Sequence, residues 1–240
     1  MTGGTCRPYG CGVVYELDAA GREVALHTFS VAPDGANAYA GVVRDSAGNL
    51  YGTASSGGMI GLGIVYKLDA AGHETVLYNF PGGSDGAHPF TGVIRDSAGN
   101  LYGTTGVGGT HGYGVGNGTV YMLDGTGTEK FLYSFGGDGY PSAVIRDSAG
   151  ELFGTLAAGG LENCGYSGCV YKLNEAGEGK VLYSFTGGAD GVNPYAGVIR
   201  DPAGNFFGTT EYGGIFNFLC GGGSCGVVYR LDTNGRQTVV

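Results

Sequence analysis

Residues 89–135 read PFTGVIRDSAGNLYGTTGVGGTHGYGVGNGTVYMLDGTGTEKFLYSF. Four short runs rich in β-branched and aromatic residues stand out: Pro89 to Arg95, Leu101 to Thr105, Thr119 to Leu123 and Lys130 to Phe135. Asp96-Ser97-Ala98-Gly99 joins the first two, and Asp124-Gly125-Thr126-Gly127 joins the last two. Both are D-x-x-G turns, in which the Asp side chain caps backbone N–H groups and Gly takes the positive φ that follows a type I turn. Strands joined so tightly must run antiparallel, because parallel neighbours need long crossovers. The stretch therefore predicts a four-stranded antiparallel unit.

The unit recurs along the chain. Tyr15, Tyr66, Tyr121, Tyr171 and Tyr229 sit in G-x-V-Y-x-L-D-like segments at intervals of 51, 55, 50 and 58 residues. Arg44-Asp45, Arg95-Asp96, Arg146-Asp147 and Arg200-Asp201 each open the equivalent hairpin. A period near 50 is the size of a propeller blade. The expected fold is all-β and β-propeller-like, with about four to five blades of four antiparallel strands in one repeat domain over 1–240. Units fall at about 38–80, 89–135, 141–185 and 194–240, and residues 12–30 carry only a third and fourth strand. The ring is therefore expected to be incomplete or closed by oligomerisation, since exposed strand edges invite pairing.

Composition agrees with a packed β protein. The 53 Gly residues follow no Gly-X-Y period, which excludes collagen, and 17 Tyr with 11 Phe are too many for a disordered linker. A net charge of −9 with scattered Lys and Arg disfavours nucleic acid as a partner. No apolar run is long enough to insert into a membrane, and the first residues lack a signal-peptide pattern.

The six cysteines form three C-x4-C pairs, Cys6/Cys11, Cys164/Cys169 and Cys220/Cys225. Local disulfide loops are the simplest pairing. Zinc is the competing reading, disfavoured because structural sites use tighter spacings and complete four-ligand sets. Disulfides imply an oxidising compartment, so the expected location is secreted or cell-surface.

The motifs D-x-x-G-N-L-Y-G-T, Gly-Gly with an optional Cys pair, G-x-V-Y-x-L and L-Y-S-F with a D-G linker resemble those of GloVer-type (choice-of-anchor) tandem-repeat proteins. Val93 to Thr105 is also similar to the opening of an NHL propeller repeat. These resemblances imply a propeller-like fold and a bacterial exported or surface-anchored setting. They imply no established reaction.

Eight of the twelve Asp residues and Asn174 begin D-x-x-G turns, which removes them as catalytic candidates. Because strands alternate in direction, these turns share one end of the units, and the long, varied loops share the other. Function on a β scaffold is expected in such loops. Glu211 is the sharpest candidate, because Ser55, Gly106 and Ala157 hold its place in the other units. Tyr212 and Phe216 are its aromatic neighbours in sequence. Glu162 is a second irregular carboxylate, and a glycosidase needs two carboxyl groups about 5 to 10 Å apart. Asn193, Asp190, His111 and Tyr113 complete the expected ligand contacts.

Asp34, Asp85, Asp138 and Asp190 recur in D-G linkers, where turn shaping competes with a Ca²⁺ role. Otherwise no cofactor is expected, and the four histidines suggest no metal set. Gly222-Gly223-Ser224-Cys225-Gly226 matches a nucleophile motif without the strand-turn-helix context it needs. The leading expectation is an extracellular binding module for a glycan or other small polar ligand. The alternatives are a carbohydrate-active enzyme (glycoside hydrolase or lyase) using Glu211 and Glu162, or a structural cell-surface repeat.

Overall fold

The computed structural model describes residues 11–30, 32–110, 118–217 and 223–240. Among them the only helical element is the 3-10 turn Gly83–Asp85. The rest is strand, turn and loop, as the repeat predicts.

Four sheets have four strands each, in the order first-second-third-fourth. They are Val43–Arg44, Leu50–Ala54, Ile64–Leu68, Glu74–Asn79; Ile94–Arg95, Leu101–Thr105, Thr119–Leu123, Glu129–Ser134; Ile145–Arg146, Leu152–Leu156, Cys169–Leu173, Gly179–Ser184; and Ile199–Arg200, Phe206–Thr209, Val228–Leu231, Gln237–Val239. The hairpin Val13–Leu17 with Glu23–Thr28 pairs with no further strand among the described residues. The chain divides into two compact units, Met1–Gly108 with Tyr121–Phe131, and Gly109–Val120 with Leu132–Val240.

All nine D-x-x-G or N-x-x-G turns form. At Asp96 the Gly99 N–H donates to the Asp96 carbonyl at 3.1 Å, and the Asp96 N–H donates to Asn100 O at 3.0 Å. The Asn100 N–H reaches Asp96 Oδ1 at 2.9 Å. Each carboxylate thus serves its own turn. At Asp45 the Asn49 side chain, with the turn N–H groups, holds the carboxyl down at about 2.

The core lies between successive sheets. The Phe that ends each fourth strand meets the third-strand Tyr of the next repeat edge-on: Phe29 on Tyr66, Phe80 on Tyr121, Phe135 on Tyr171 and Phe185 on Tyr229, with centroids 5.0–5.1 Å apart. That geometry suits the aromatic quadrupole. A bulge at Val65/Tyr66 and at Val170/Tyr171 locally twists the third strand where the Tyr sits. In the first unit Phe80 and Tyr121 gather Val65, Val93, Leu101 and Leu123 into one buried cluster.

The buried hydroxyls of Tyr121, Tyr171 and Tyr229 have no hydrogen-bond partner among the described residues. An unpaired buried hydroxyl costs about 1–3 kcal/mol in desolvation. Tyr121→Phe and Tyr171→Phe are therefore each expected to raise stability by about 1 kcal/mol in urea unfolding. A lowered midpoint would mean that the hydroxyl is hydrogen-bonded in solution.

The first strands are shorter than the sequence suggests, two residues instead of seven in the unit at 89–135. Their approach segments form other contacts. The His88 N–H donates to Leu62 O at 2.8 Å, and Ala87 bridges to Val107.

Candidate functional site

The loop end is built on a staple that repeats. Asn37, His88 and Asn193 all have a left-handed backbone, with φ of 60°, 54° and 54°. Asn tolerates that region better than most residues. Their carbonyls accept the N–H groups of Ser55, Gly106 and Glu211 at 3.2, 2.9 and 3.1 Å, and the Tyr140 carbonyl accepts that of Ala157 at 3.1 Å. Glu211 therefore occupies in space the position that repeat comparison assigns it. The side chains brace the same loops: Asn193 donates to Ala157 O at 2.8 Å, and His88 Nδ1 lies 2.8 Å from Ser55 O.

Two residues beyond Asn37, His88 and Asn193 an aromatic ring is left in the open. Tyr39 is 70% exposed, Phe90 51% and Tyr195 56%. Tyr39 and Phe90 lie side by side in the first unit, centroids 6.2 Å apart and planes tilted by 36°. Phe90 lies over the backbone of Gly106, where the long loop begins: a methyl group there would come within 2.6 Å of the ring. In the second unit Tyr212, 48% exposed, donates its hydroxyl to Glu211, and Tyr195 lies near it. The hydrogen bond and the charge of Glu211 hold the Tyr212 phenol above its ordinary range. Apolar rings beside a carboxylate can stack on one face of a polar ring-shaped ligand and hydrogen-bond its edge.

The other expected site residues fall elsewhere. Glu162 is exposed in the turn closed by the Cys164 N–H donating to Leu161 O at 2.9 Å, and no hydrogen bond or ion pair links it to Glu211 among the described residues. Asp190 serves its linker: Oδ2 accepts from Tyr183 Oη and Thr186 N–H, each at 2.8 Å, and Oδ1 accepts from the Thr186 hydroxyl at 2.6 Å. These bonds draw its carboxyl below the usual range despite partial burial. Phe216 lies in the strand Phe216–Asn217, opposite Ser224. His111 and Tyr113 lie outside the described residues.

Cys164 and Cys169 form the expected local disulfide, with Cα atoms 5.4 Å apart. Cys11 and Cys225 are also disulfide-bonded, and their expected partners Cys6 and Cys220 lie outside the described residues.

The opposite end offers concave surface of a different kind. In the second unit Arg146, Asp147, Phe153, Arg200, Asp201 and Pro202 line a concavity of about 450 Å³. Its charges are already paired. Arg200 donates to Asp147 at 2.9 Å and lies over Phe153 and Phe206 at 5.1 and 5.3 Å. Arg95 covers Tyr51 at 5.5 Å in the first unit. The repeated arginines brace rings and turns, as their spacing suggests.

Sequence reading missed the open aromatics. The signal was present in D-G-x-N-A-Tyr39, D-G-x-H-P-Phe90 and D-G-x-N-P-Tyr195, an aromatic at a fixed distance from three of the four linker Asp residues.

Solved structures similar to this chain include the Niastella koreensis GH74 enzyme, with a TM-score of 0.61 and 17% identity over 98% of this chain and 35% of that one. A streptogramin B lyase gives 0.58 and 16%, over 96% of this chain and 62% of that one. A catalytically inactive virginiamycin B lyase from Staphylococcus aureus, solved with quinupristin, gives 0.54 and 13%, over 84% and 54%. The chain thus spans less than two thirds of each of these proteins. They are β-propeller enzymes, and at such identities the likeness shows the fold alone. No curated protein matches the chain in sequence. No helix among the described residues is long and apolar enough to cross a membrane. Residues 1–116 match the family described as the Gloeobacter/Verrucomicrobia repeat, and the same strand pattern continues beyond them to Val239.

Proposed function

We propose that this chain is an extracellular, non-catalytic β-propeller-like module that binds glycans on its loop end through open aromatic platforms. The observation that carries this reading is the exposed pair Tyr39 and Phe90, supported by the Tyr212–Glu211 arrangement near Tyr195. Large rings held in solvent by a rigid backbone staple are poor stabilisers of their own fold and good faces for the apolar side of a sugar. The disulfides favour an oxidising, extracellular setting. Glu211 here supplies a hydrogen-bonding edge. The hydrolase alternative needs a second carboxyl group about 5 to 10 Å from it.

A glycan array on the purified chain, followed by calorimetry on the best ligand, tests the reading. The double variant Tyr39→Ala/Phe90→Ala, or Tyr195→Ala/Tyr212→Ala, is expected to weaken binding at least tenfold while leaving the melting temperature within a few degrees, because these rings are exposed. Glu211→Gln is expected to cost only a few-fold for a neutral glycan. Release of reducing ends that disappears in Glu211→Gln would replace the binding module with an enzyme. Binding sensitive only to substitutions around Asp147 and Arg200 would move the site to the turn end.

A further inference from the structure

In the first unit, three side chains from two repeats meet where the repeat pattern breaks. The fourth strands carry Tyr78, Tyr133 and Tyr183 at one position, and Tyr183 donates its hydroxyl to the linker residue Asp190 at 2.8 Å. His27 takes that position in the hairpin and keeps the contact, with Nε2 3.4 Å from Asp34 Oδ1. A third group joins them, as Glu129 joins Tyr78 and Asp85 in the next repeat, but only here does it meet an imidazole. Glu74, the first residue of the next fourth strand, places Oε2 3.9 Å from His27 Nε2 and hydrogen-bonds Asp34. At the Tyr183–Asp190 position the equivalent residue is Gln237, whose amide donates to Asp190 O at 3.1 Å.

The three donor atoms lie within 4.8 Å of one another. Around a tetrahedral ion bound at about 2.0–2.2 Å, ligand atoms stand roughly 3.3–3.6 Å apart, close to the spacing seen. The side chains are 17%, 13% and 13% exposed, which limits competition from bulk water but leaves an entry path. Glu74 Oε1 is buried without a hydrogen-bond partner among the described residues. Burial first, then the neighbouring Asp34, pushes the Glu74 carboxyl up.

We propose that His27 Nε2, Asp34 Oδ1 and Glu74 Oε2 bind one divalent transition ion of the zinc class, with the remaining coordination position open to water. The imidazole separates this site from one for Ca²⁺ or Mg²⁺, which favour all-oxygen sets. In the bound state the two carboxylates neutralise the charge of the ion. The remaining bonds hold Asp34 in place: Ser30 N–H donates to Oδ2 and Gly35 N–H to Oδ1, each at 2.7 Å.

The experiment is a calorimetric titration of zinc chloride into the chelator-stripped, tag-free chain with its disulfides intact, repeated on three variants. His27→Tyr and Glu74→Gln install the residues that other repeats carry at these positions, so both retain the repeat architecture. The unaltered chain is expected to bind one zinc per chain and to melt at a higher temperature with zinc than with chelator. Loss of a supporting residue alone typically weakens metal binding 10–100-fold, so each of these two ligand variants is expected to lose about a hundredfold or more. His73→Ala, which alters an exposed histidine paired only with its turn residue Asp69, is expected to keep the site. Absence of saturable binding in the unaltered chain, or equal affinity in His27→Tyr, overturns the proposal and leaves the triad a hydrogen-bonded brace.

Discussion

Phe80→Ala is expected to lower the unfolding free energy by about 3–5 kcal/mol, the usual cost of emptying a buried aromatic site. Phe80 is fully buried and meets Tyr78 and Tyr121 edge-on, each at 5.1 Å. Its ring belongs to one repeat and its principal partner to the next, so the substitution opens the seam itself. Phe80→Leu, which refills most of the volume, should recover over half of the loss. Urea unfolding followed by tyrosine fluorescence measures both. A loss below about 1 kcal/mol for the alanine variant would show that the seam collapses around the gap and that the ring contact is dispensable.

Gly103→Ala is expected to cost about 1–3 kcal/mol, through crowding alone. Gly103 lies on the second strand where the Tyr121 ring crosses it, and an added methyl group would sit 2.6 Å from Cζ of that ring. The same crossing occurs at Gly52, Gly154 and Gly208 under Tyr66, Tyr171 and Tyr229. The G of every L-Y-G-T or F-F-G-T segment is therefore set by the Tyr of the adjacent strand. An alanine at an open turn position such as Gly125, with no atom within 4 Å of the added methyl, is the control and should change stability by less than 1 kcal/mol. Equal effects at 103 and 125 would remove the crowding argument.

Much of the architecture was legible because its determinants are local. Second and third strands such as Leu101–Thr105 and Thr119–Leu123 stand where their apolar runs predict, and the D-x-x-G turns close by bonds within five residues. The site was less legible. Tyr39, Tyr102 and Tyr121 look alike in a chain full of repeated tyrosines, yet Tyr39 is open and the other two are buried. Tyr39 lies in a linker outside any strand, whereas the other two lie in strands that neighbouring residues cover. Asn193 reads as a polar loop residue available to ligand, whereas its left-handed backbone and its bond to Ala157 make it a brace. His27, Asp34 and Glu74 come from different repeats, and no spacing rule along the chain brings them together.

The Phe-on-Tyr seam also bears on how such a chain changes over generations. Every seam uses the same two rings from the same two repeat positions. A recombination event that copies or excises one whole repeat therefore joins a familiar Phe to a familiar Tyr, with no new complementary surface to invent. Because each repeat touches mainly its neighbours, the energetic disturbance stays at the join. Copy number is then free to drift. Deleting the repeat that carries Glu74 would bring Glu129, at the same place in the next fourth strand, beside His27, so an array that keeps the cluster must keep the hairpin that carries His27 rather than one particular neighbour.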